Sequence, residues 1–214
     1  LTAPQTVAKG EPFIRVELGG GTFYFRPQND VVLEAGNRYT YTVKVNATGL
    51  TLAGCEIGKW DDGGGESGEA GLSYIYDKET NTYTVYTADG LLAWAEAAQS
   101  DLSIDCTLTA DIDLTGKKWT PIGYGATSEY GYQGTFDGQG HRITGLAIIS
   151  DDPHGENAAL FDGIGGNGEV KNLQLVDVDF NVKQGGVSSG IAWSNFGTLT
   201  ACSVTGTIAT ANGD

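Results

Sequence analysis

The chain has 214 residues, of which 33 are glycine and none is methionine, and only 18% are charged. A composition so rich in turn formers, and so poor in the residues of long helices, predicts an all-β protein with room for one large domain or two small ones. The net charge of −15 repels phosphate backbones and anionic lipid surfaces, which argues against nucleic acid as a partner.

The cysteines and the hydropathy of the sequence exclude further classes of protein. Cys55, Cys106 and Cys202 are far apart and odd in number, so no more than one disulfide can form and no Cys-x-x-Cys metal or redox site exists. We interpret the cysteines as small core residues. Solubility explains the acidic residues better than Ca²⁺ binding does, so no metal or other cofactor is predicted. The sequence contains neither an apolar run long enough for a membrane span nor a signal-peptide pattern at its start.

The first predicted module, residues 1–59, is the end of an antiparallel β-sandwich. FIRVELGGGTFYFRP (13–27) gives two short strands around its glycines, and RYTYTVKVNATGLTL (38–52) alternates apolar with polar residues. That alternation is typical of a sheet with one buried face. About four strands are too few to close a sandwich, so we expect this module to be the closing part of a larger domain.

Residues 60–71, WDDGGGESGEAG, are predicted to form a linker between two modules. The segment is rich in glycine and acidic residues and poor in apolar ones, a composition typical of mobile chain. It lacks the alternating ligands of an EF-hand loop, so flexibility is a better interpretation than Ca²⁺ binding.

The second predicted module, residues 72–214, begins with a hairpin and a helix. Strands at 72–76 and 82–86 flank the turn DKETN, and a helix follows at about 89–99, with Asp89 as its candidate N-cap. We expect this helix to cap one end of a β core. Its predicted apolar face consists of Leu91, Leu92, Trp94, Ala95 and Ala98.

A repeat beyond the helix predicts a right-handed parallel β-helix. ITGLAI (143–148), VKNLQL (170–175) and LTACSV (199–204) share the template apolar-x-x-apolar-x-apolar and begin 27 and 29 residues apart. Each follows a turn rich in glycine or asparagine, as in solenoids whose rungs stack their apolar positions. LSIDCTLTADIDL (102–114) would be the first rung. Cys202 matches Leu146 and Leu173 in the template, which predicts a stacked interior side chain.

Two segments resemble known bacterial families. GIAWSNFGTLTACSVTGTI (190–208) resembles the GLUG-type β-helix repeat of surface proteins in its Gly-Ile, its Asn-x-Gly turn and its Cys-x-Val-x-Gly-x-Ile run. LEAGNRYTYTVKVN (33–46) is similar to the closing strands of a fimbrillin-like domain from Bacteroides-type bacteria.

These resemblances imply a non-catalytic adhesion or fimbrial structural protein. Its expected location is extracellular, at the bacterial outer membrane or in a fimbria. The partners implied are a surface glycan, a surface protein of a host or another bacterium, or other fimbrial subunits.

Polysaccharide cleavage is the main alternative, because lyases and glycoside hydrolases also use parallel β-helices and gather carboxylates on an outer face. Neither histidine has a metal-ligand spacing or a nucleophile nearby. The Asp-Gly turn at 137–138 needs its acid for backbone reasons, so structural roles are favoured for the acids. The candidate residues are Asp111, Asp113, Asp137, Asp162, Asp177 and Asp179, with His141, Arg142 and Lys171 as basic groups.

Carbohydrate binding without cleavage is the third hypothesis. Four aromatic residues cluster in the excursion WTPIGYGATSEYGYQG (119–134), and exposed rings on a rigid scaffold can stack on sugars. In the competing interpretation, Trp119 and Ile122 fold over the first rung. The predicted ligand-binding residues are Trp119, Tyr124, Tyr130 and Tyr132.

Overall fold

The computed structural model describes residues 5–18, 20–35, 38–46, 49–58, 69–123, 127–150, 157–183 and 186–211. The chain divides into two units, Leu1–Ile75 and Tyr76–Asp214. Both are built mainly of strands, which confirms the predicted all-β class. No helix among the described residues is long and apolar enough to cross a membrane.

The first unit consists of antiparallel strands, as its alternating pattern predicts. β1 pairs with β4, β3 lies between β2 and β7, and β6 pairs with both β5 and β7. Phe23 and Phe25 are buried among apolar neighbours that include Phe13, whose ring meets Tyr41 edge to face at 5.1 Å. The strands are β1 (Gln5–Val7), β2 (Ile14–Leu18), β3 (Gly21–Phe25), β4 (Val31–Leu33), β5 (Arg38–Asn46), β6 (Gly49–Gly58) and β7 (Glu69–Asp77).

The predicted linker at 60–71 is only partly described. Residues 69–71 belong to β7, whose main-chain pairing with β3 extends to Ala70 and Gly71. The remaining linker residues, 60–68, lie outside the described residues.

The second unit is a parallel β-solenoid of about three turns. One face holds β8, β9, β11, β15 and β18 in that order, and a second holds β10, β12, β16 and β19, with β13 also beside β16. A third face is formed by β14 and β17. The elements are β8 (Thr82–Val85), α1 (Ala88–Ser100), β9 (Asp105–Leu108), β10 (Ile112–Asp113), β11 (Thr135–Asp137), β12 (Arg142–Thr144), β13 (Ala147–Ser150), β14 (Phe161–Ile164), β15 (Glu169–Lys171), β16 (Gln174–Lys183), β17 (Ala192–Asn195), β18 (Thr198–Thr200) and β19 (Ser203–Ala211).

Side chains from successive strands stack in register inside the solenoid. Because neighbouring residues of a strand point to opposite faces, parallel pairing places every second apolar side chain in the interior. The first-face ladder is Tyr83, Cys106, Phe136, Val170 and Leu199. The second-face ladder is Ile112, Ile143, Leu175 and Val204. The third-face ladder is Ile122, Phe161 and Ala192.

The observed register corrects the first copy of the predicted repeat. Val170 pairs with Leu199 as predicted, but Ile143 pairs with Leu175 on the second face, and Phe136 takes the place beside Val170. Both the first-face and the second-face strands carry apolar residues at similar spacing. The short template therefore fits two different phases of the rung.

The two described cysteines occupy interior positions with different exposure. Cys106 is fully buried, and this burial raises the pKa of its thiol well above the ordinary value. Cys202, which belongs to the last rung, is half-buried. Both are free thiols, and the Cys55 side chain lies outside the description.

The helix α1 covers the interior of the first turn. It begins after Thr87, whose Oγ1 accepts a hydrogen bond from the Gly90 amide at 3.3 Å, so Thr87 rather than Asp89 is the N-cap. Asp89 lies in the first helical turn, where a negative charge is favourable. Trp94 is fully buried and forms the centre of an aromatic cluster. Its ring centroid lies 5.8, 5.0 and 6.2 Å from those of Tyr132, Phe136 and Phe161.

Candidate ligand-binding surface

Three of the four aromatic residues that were predicted to bind a ligand are described by the structure, and their exposure differs. Trp119 is 5% exposed and its Nε1 donates a hydrogen bond to the Leu160 carbonyl at 3.0 Å. Tyr132 is fully buried and its hydroxyl donates to the Ile104 carbonyl at 2.8 Å. Tyr130 is 60% exposed, whereas Tyr124 lies outside the described residues.

The expected exposure of Trp119 and Tyr132 is therefore corrected. Ile122 is buried and bridges to Phe161 of β14, and Trp119 is anchored beside it through Leu160. The competing interpretation, in which Trp119 and Ile122 fold over the first rung, is the arrangement that the structure has. Burying these large apolar rings removes more area from water than an exposed loop would allow.

The acidic candidates for polysaccharide cleavage are divided among the three faces of the solenoid. Asp137 is the last residue of β11 on the first face, and Asp162 lies on the third face. Four others belong to the second face or the turn before it: Asp111, Asp113, Asp177 and Asp179.

Several of these carboxylates accept hydrogen bonds from the main chain. Asp113 Oδ1 accepts from the Thr115 amide at 2.8 Å. Asp111 Oδ1 accepts from the Arg142 amide at 3.1 Å and lies 3.2 Å from His141 Nδ1. The pKa of the Asp111 carboxyl is lowered by the hydrogen bonds from the Arg142 amide and then from His141. The pKa of the Asp113 carboxyl is lowered by the Thr115 side chain and then by the Thr115 amide. Asp113 thus stabilises the turn that follows it, and Asp111 connects its own rung to the next one through Arg142.

Asp137 shows this structural role most completely. Its Oδ1 accepts from the Gln139 amide at 2.9 Å and from Asn172 Nδ2, on the next rung, at 3.1 Å. Partial burial opposes its ionisation, but these hydrogen bonds and the charge of Lys171 outweigh that effect and lower its pKa. Lys171 Nζ in turn lies 2.8 Å from Glu169 Oε2. Lys171 therefore pairs with Glu169 on its own strand, and its positive charge also favours the ionised form of Asp137 on β11.

We expect Asp137→Asn to make the stability of the solenoid depend less on pH in the acid range. Because the folded pKa of Asp137 is below that of the unfolded chain, its charge stabilises the fold above about pH 3.9, and this contribution is lost as the pH falls through the folded pKa. The urea midpoint of the wild type should therefore drop more steeply between about pH 5 and pH 2 than that of the variant. Identical slopes would contradict a structural role for the ionised carboxylate.

Two exposed aromatic residues of the last rung were not among the predicted site residues. Trp193 is 39% exposed and Phe196 is 52% exposed. Their neighbours Ala192 and Ser194 pair with β14, which places the Trp193 side chain on the opposite side of β17. Both residues lie in the GLUG-like segment 190–208, for which the sequence analysis predicted no ligand-binding role.

The stretch that carries these two rings is uncharged, although Asp162 of the neighbouring strand β14 lies opposite Trp193 in the register. Residues 186–211 contain no aspartate, glutamate, lysine, arginine or histidine, although the whole chain carries a net charge of −15. The same stretch exposes further apolar side chains, namely Val187, Leu199 and Ile208.

Two comparisons with known proteins gave matches, each over part of the chain. Residues 1–60 match the model of the family described as fimbrillin-like. The chain is also 36% identical over 102 residues to a protein of Evansella cellulosilytica described as a Gly-rich membrane protein. That match covers 47% of this chain and 11% of the relative, so the chain spans only a small part of that protein. No solved structure matches the chain. The amino-terminal 60 residues of the chain are thus similar to fimbrillin-like proteins, as the segment 33–46 had indicated.

Proposed function

We propose that this chain is a non-catalytic structural and adhesive protein of the bacterial surface, which binds a neutral glycan through Trp193 and Phe196. The fimbrillin-like match supports a surface or fimbrial role for the first unit. The membrane-protein description of the relative agrees with a cell-surface location. The observation that carries the adhesive role is the exposure of two aromatic rings on an uncharged rung of a packed solenoid.

The chemistry of this surface fits an uncharged sugar. An aromatic ring stacks on the apolar face of a pyranose, and nearby polar groups fix the orientation of its hydroxyls. The exposed Asn195 lies between the two aromatic residues in the sequence and supplies such a polar group. Acidic glycans would be repelled by the net charge of the protein, which is −15.

Tyr130 belongs to a loop at the same corner of the solenoid. The Ser128 carbonyl of this loop accepts a hydrogen bond from the Gly166 amide at 3.0 Å. On the following rung, the Phe196 amide donates to the Ile164 carbonyl at 2.9 Å. Tyr130 and Phe196 therefore flank the same turn, and Tyr130 extends the proposed glycan surface toward the first rung.

The finer features of this function are part of the proposal. The solenoid would be a GLUG-type repeat region, displayed outside the cell at the outer membrane or in a fimbria. Its partners would be glycans or proteins on another cell, with other fimbrial subunits as neighbours in the assembled structure.

Replacing Trp193 and Phe196 together by alanine is expected to weaken glycan binding at least about tenfold, because stacked aromatic residues dominate the affinity of such sites. A glycan array and calorimetry on its best ligand measure the effect. Ile149→Ala is the matched control, because Ile149 is an apolar residue of β13 that is 66% exposed. This control should bind as the wild type does.

Two results would contradict the proposal. The first is the absence of binding to any neutral glycan, or binding that the double variant leaves unchanged. The second is the release of reducing sugars or unsaturated products from a polysaccharide, which would support the enzymatic alternative and redirect attention to the carboxylates.

A further inference from the structure

An acidic side chain lies beside Trp193 on the outer surface of the third face. Phe161 pairs with Ala192 in the register of β14 and β17, and the residues that follow them, Asp162 and Trp193, therefore lie opposite each other. The Phe161 ring is fully buried, so Asp162, as the next residue of the strand, projects outward. Because paired strands lie about 4.8 Å apart, the carboxylate and the indole ring are immediate neighbours.

The orientation of the Asp162 carboxylate is fixed by an amide side chain. Asn157 Nδ2 donates a hydrogen bond to Asp162 Oδ1 at 2.7 Å. Asn157 Oδ1 in turn accepts a hydrogen bond from the Val187 amide at 3.3 Å. Both Asn157 and Asp162 are half-buried. These contacts hold the carboxylate in place before a ligand binds, and such preorganisation lowers the cost of binding.

The groups around Trp193 match the chemistry of a sugar hydroxyl. The Asp162 carboxylate accepts hydrogen bonds at two oxygens, and the Asn157 amide carries N–H donors. A hydroxyl both donates and accepts, so it is able to use both kinds of group, whereas an ammonium ion only donates. A pyranose that stacks on the Trp193 ring presents its hydroxyls at its edge, toward the polar groups beside the ring.

We propose that Asp162 determines which glycans the Trp193 surface accepts. Its carboxylate accepts hydrogen bonds from hydroxyls of the sugar that stacks on Trp193, and it disfavours a sugar that carries a carboxylate there. This inference rests on the proposed function and adds to it the residue that selects the ligand. Hydrogen bonds to an ionised acceptor are about twice as strong as those between neutral groups, so a neutral sugar gains affinity. A uronic acid would place two like charges side by side and would supply no proton to share.

Ionic strength distinguishes this local effect from the net charge of −15. Charges that lie farther apart than the Debye length are largely screened, and that length falls from about 8 Å at 0.15 M salt to about 3 Å at 1 M. In 1 M NaCl, repulsion between an acidic glycan and the distant acidic residues is therefore suppressed. A preference for neutral sugars that persists at this salt concentration reports on the direct contact.

Calorimetry of Asp162→Asn in 1 M NaCl tests the proposal. The probes are neutral tetrasaccharides of glucose, mannose and galactose, each compared with its counterpart oxidised to the uronic acid at C6. The wild type should bind its best neutral probe at least about tenfold more tightly than the oxidised counterpart. In the variant, affinity for the neutral probe should fall about tenfold and the preference should fall below about threefold, because the amide lacks the negative charge.

Asp179→Asn is the matched control. It removes the same charge from an exposed position on β16, which belongs to the second face and not to the third. Its affinities and its preference should equal those of the wild type. Urea unfolding of both variants checks the fold, and Asp162→Asn should leave the midpoint unchanged, because the new side chain keeps an acceptor oxygen for Asn157.

Two results would overturn the role of Asp162. One is a wild-type preference in Asp162→Asn, and the other is a loss of binding accompanied by a lower urea midpoint, which would show a structural role alone. The Trp193 and Phe196 double variant separates these results from the proposed function. If it loses binding while Asp162→Asn binds as the wild type does, the glycan surface stands and only the role of Asp162 is refuted. A wild type that binds none of the neutral probes would contradict both proposals.

Discussion

Trp94→Ala is expected to lower the free energy of unfolding of the solenoid by about 3–5 kcal/mol. Trp94 is fully buried and brings α1 against rings from three other segments of the solenoid. Its Nε1 also donates to the Ile104 carbonyl at 3.3 Å, and the truncation would leave that acceptor without this donor. The cavity would lie where the helix closes the first turn, so the rung of β9 and β10 should lose the most protection.

Urea unfolding followed by hydrogen exchange of the β9, β11 and β14 amides would measure this change, because the two units of the chain need not unfold together. Trp193→Ala is the matched control within the same chain. Trp193 is 39% exposed, and its truncation should cost less than about 1 kcal/mol. Equal losses for the two tryptophan variants would show that α1 does not hold the first turn as described.

Gly168→Ala is expected to destabilise the solenoid by about 3 kcal/mol, at the upper end of what overpacking costs. A Cβ atom on Gly168 would overlap the Tyr132 carbonyl oxygen and would lie 2.8 Å from Ile164 Cγ2. The Tyr132 oxygen cannot move away freely, because it accepts a hydrogen bond from the Gly165 amide at 2.7 Å. The methyl group would therefore force neighbouring rungs apart at the corner below Phe196.

Gly166→Ala provides the control two residues away. The atom nearest to a Cβ at Gly166 is Ser128 Cβ at 3.9 Å, an ordinary contact distance. We expect this substitution to change the free energy of unfolding by less than about 1 kcal/mol, with a gain if the lost freedom of the unfolded chain dominates. Thermal unfolding of the two variants side by side would decide the matter, and a Gly168 variant as stable as the Gly166 variant would refute the close rung packing.

Much of the architecture was predictable from local patterns. The helix was placed within one residue at each end of α1 (Ala88–Ser100), because Leu91, Trp94 and Ala98 repeat at helical spacing. The pairing of Val170 with Leu199 followed from the repeat. The prediction that Ile143 aligns with Val170 was wrong, because Ile143 pairs with Leu175. Strands of two adjacent faces fit the same short template, and only the observed pairing distinguishes them.

The site residues were harder to predict, because the residue type alone does not tell whether an aromatic side chain is buried or exposed. Trp119, Tyr130 and Tyr132 look alike in the sequence, yet only Tyr130 is exposed. Trp119 donates a hydrogen bond to the Leu160 carbonyl and Tyr132 to the Ile104 carbonyl, and both acceptors are distant in the sequence. Trp193 lies outside the three copies of the repeat template, and the sequence analysis did not predict it to be a site residue.

By itself, the sequence determined the β-rich class, the single helix and the stacking of rungs, because alternation, helical spacing and turn residues act over a few neighbours. Only the tertiary structure decided which apolar side chains share a ladder and which aromatic rings are buried. Those outcomes depend on segments that lie tens of residues apart and compete to cover the same interior. Trp119 and Tyr130 show the difference: both are aromatic residues of the same segment, but Trp119 is buried against Leu160 whereas Tyr130 is exposed.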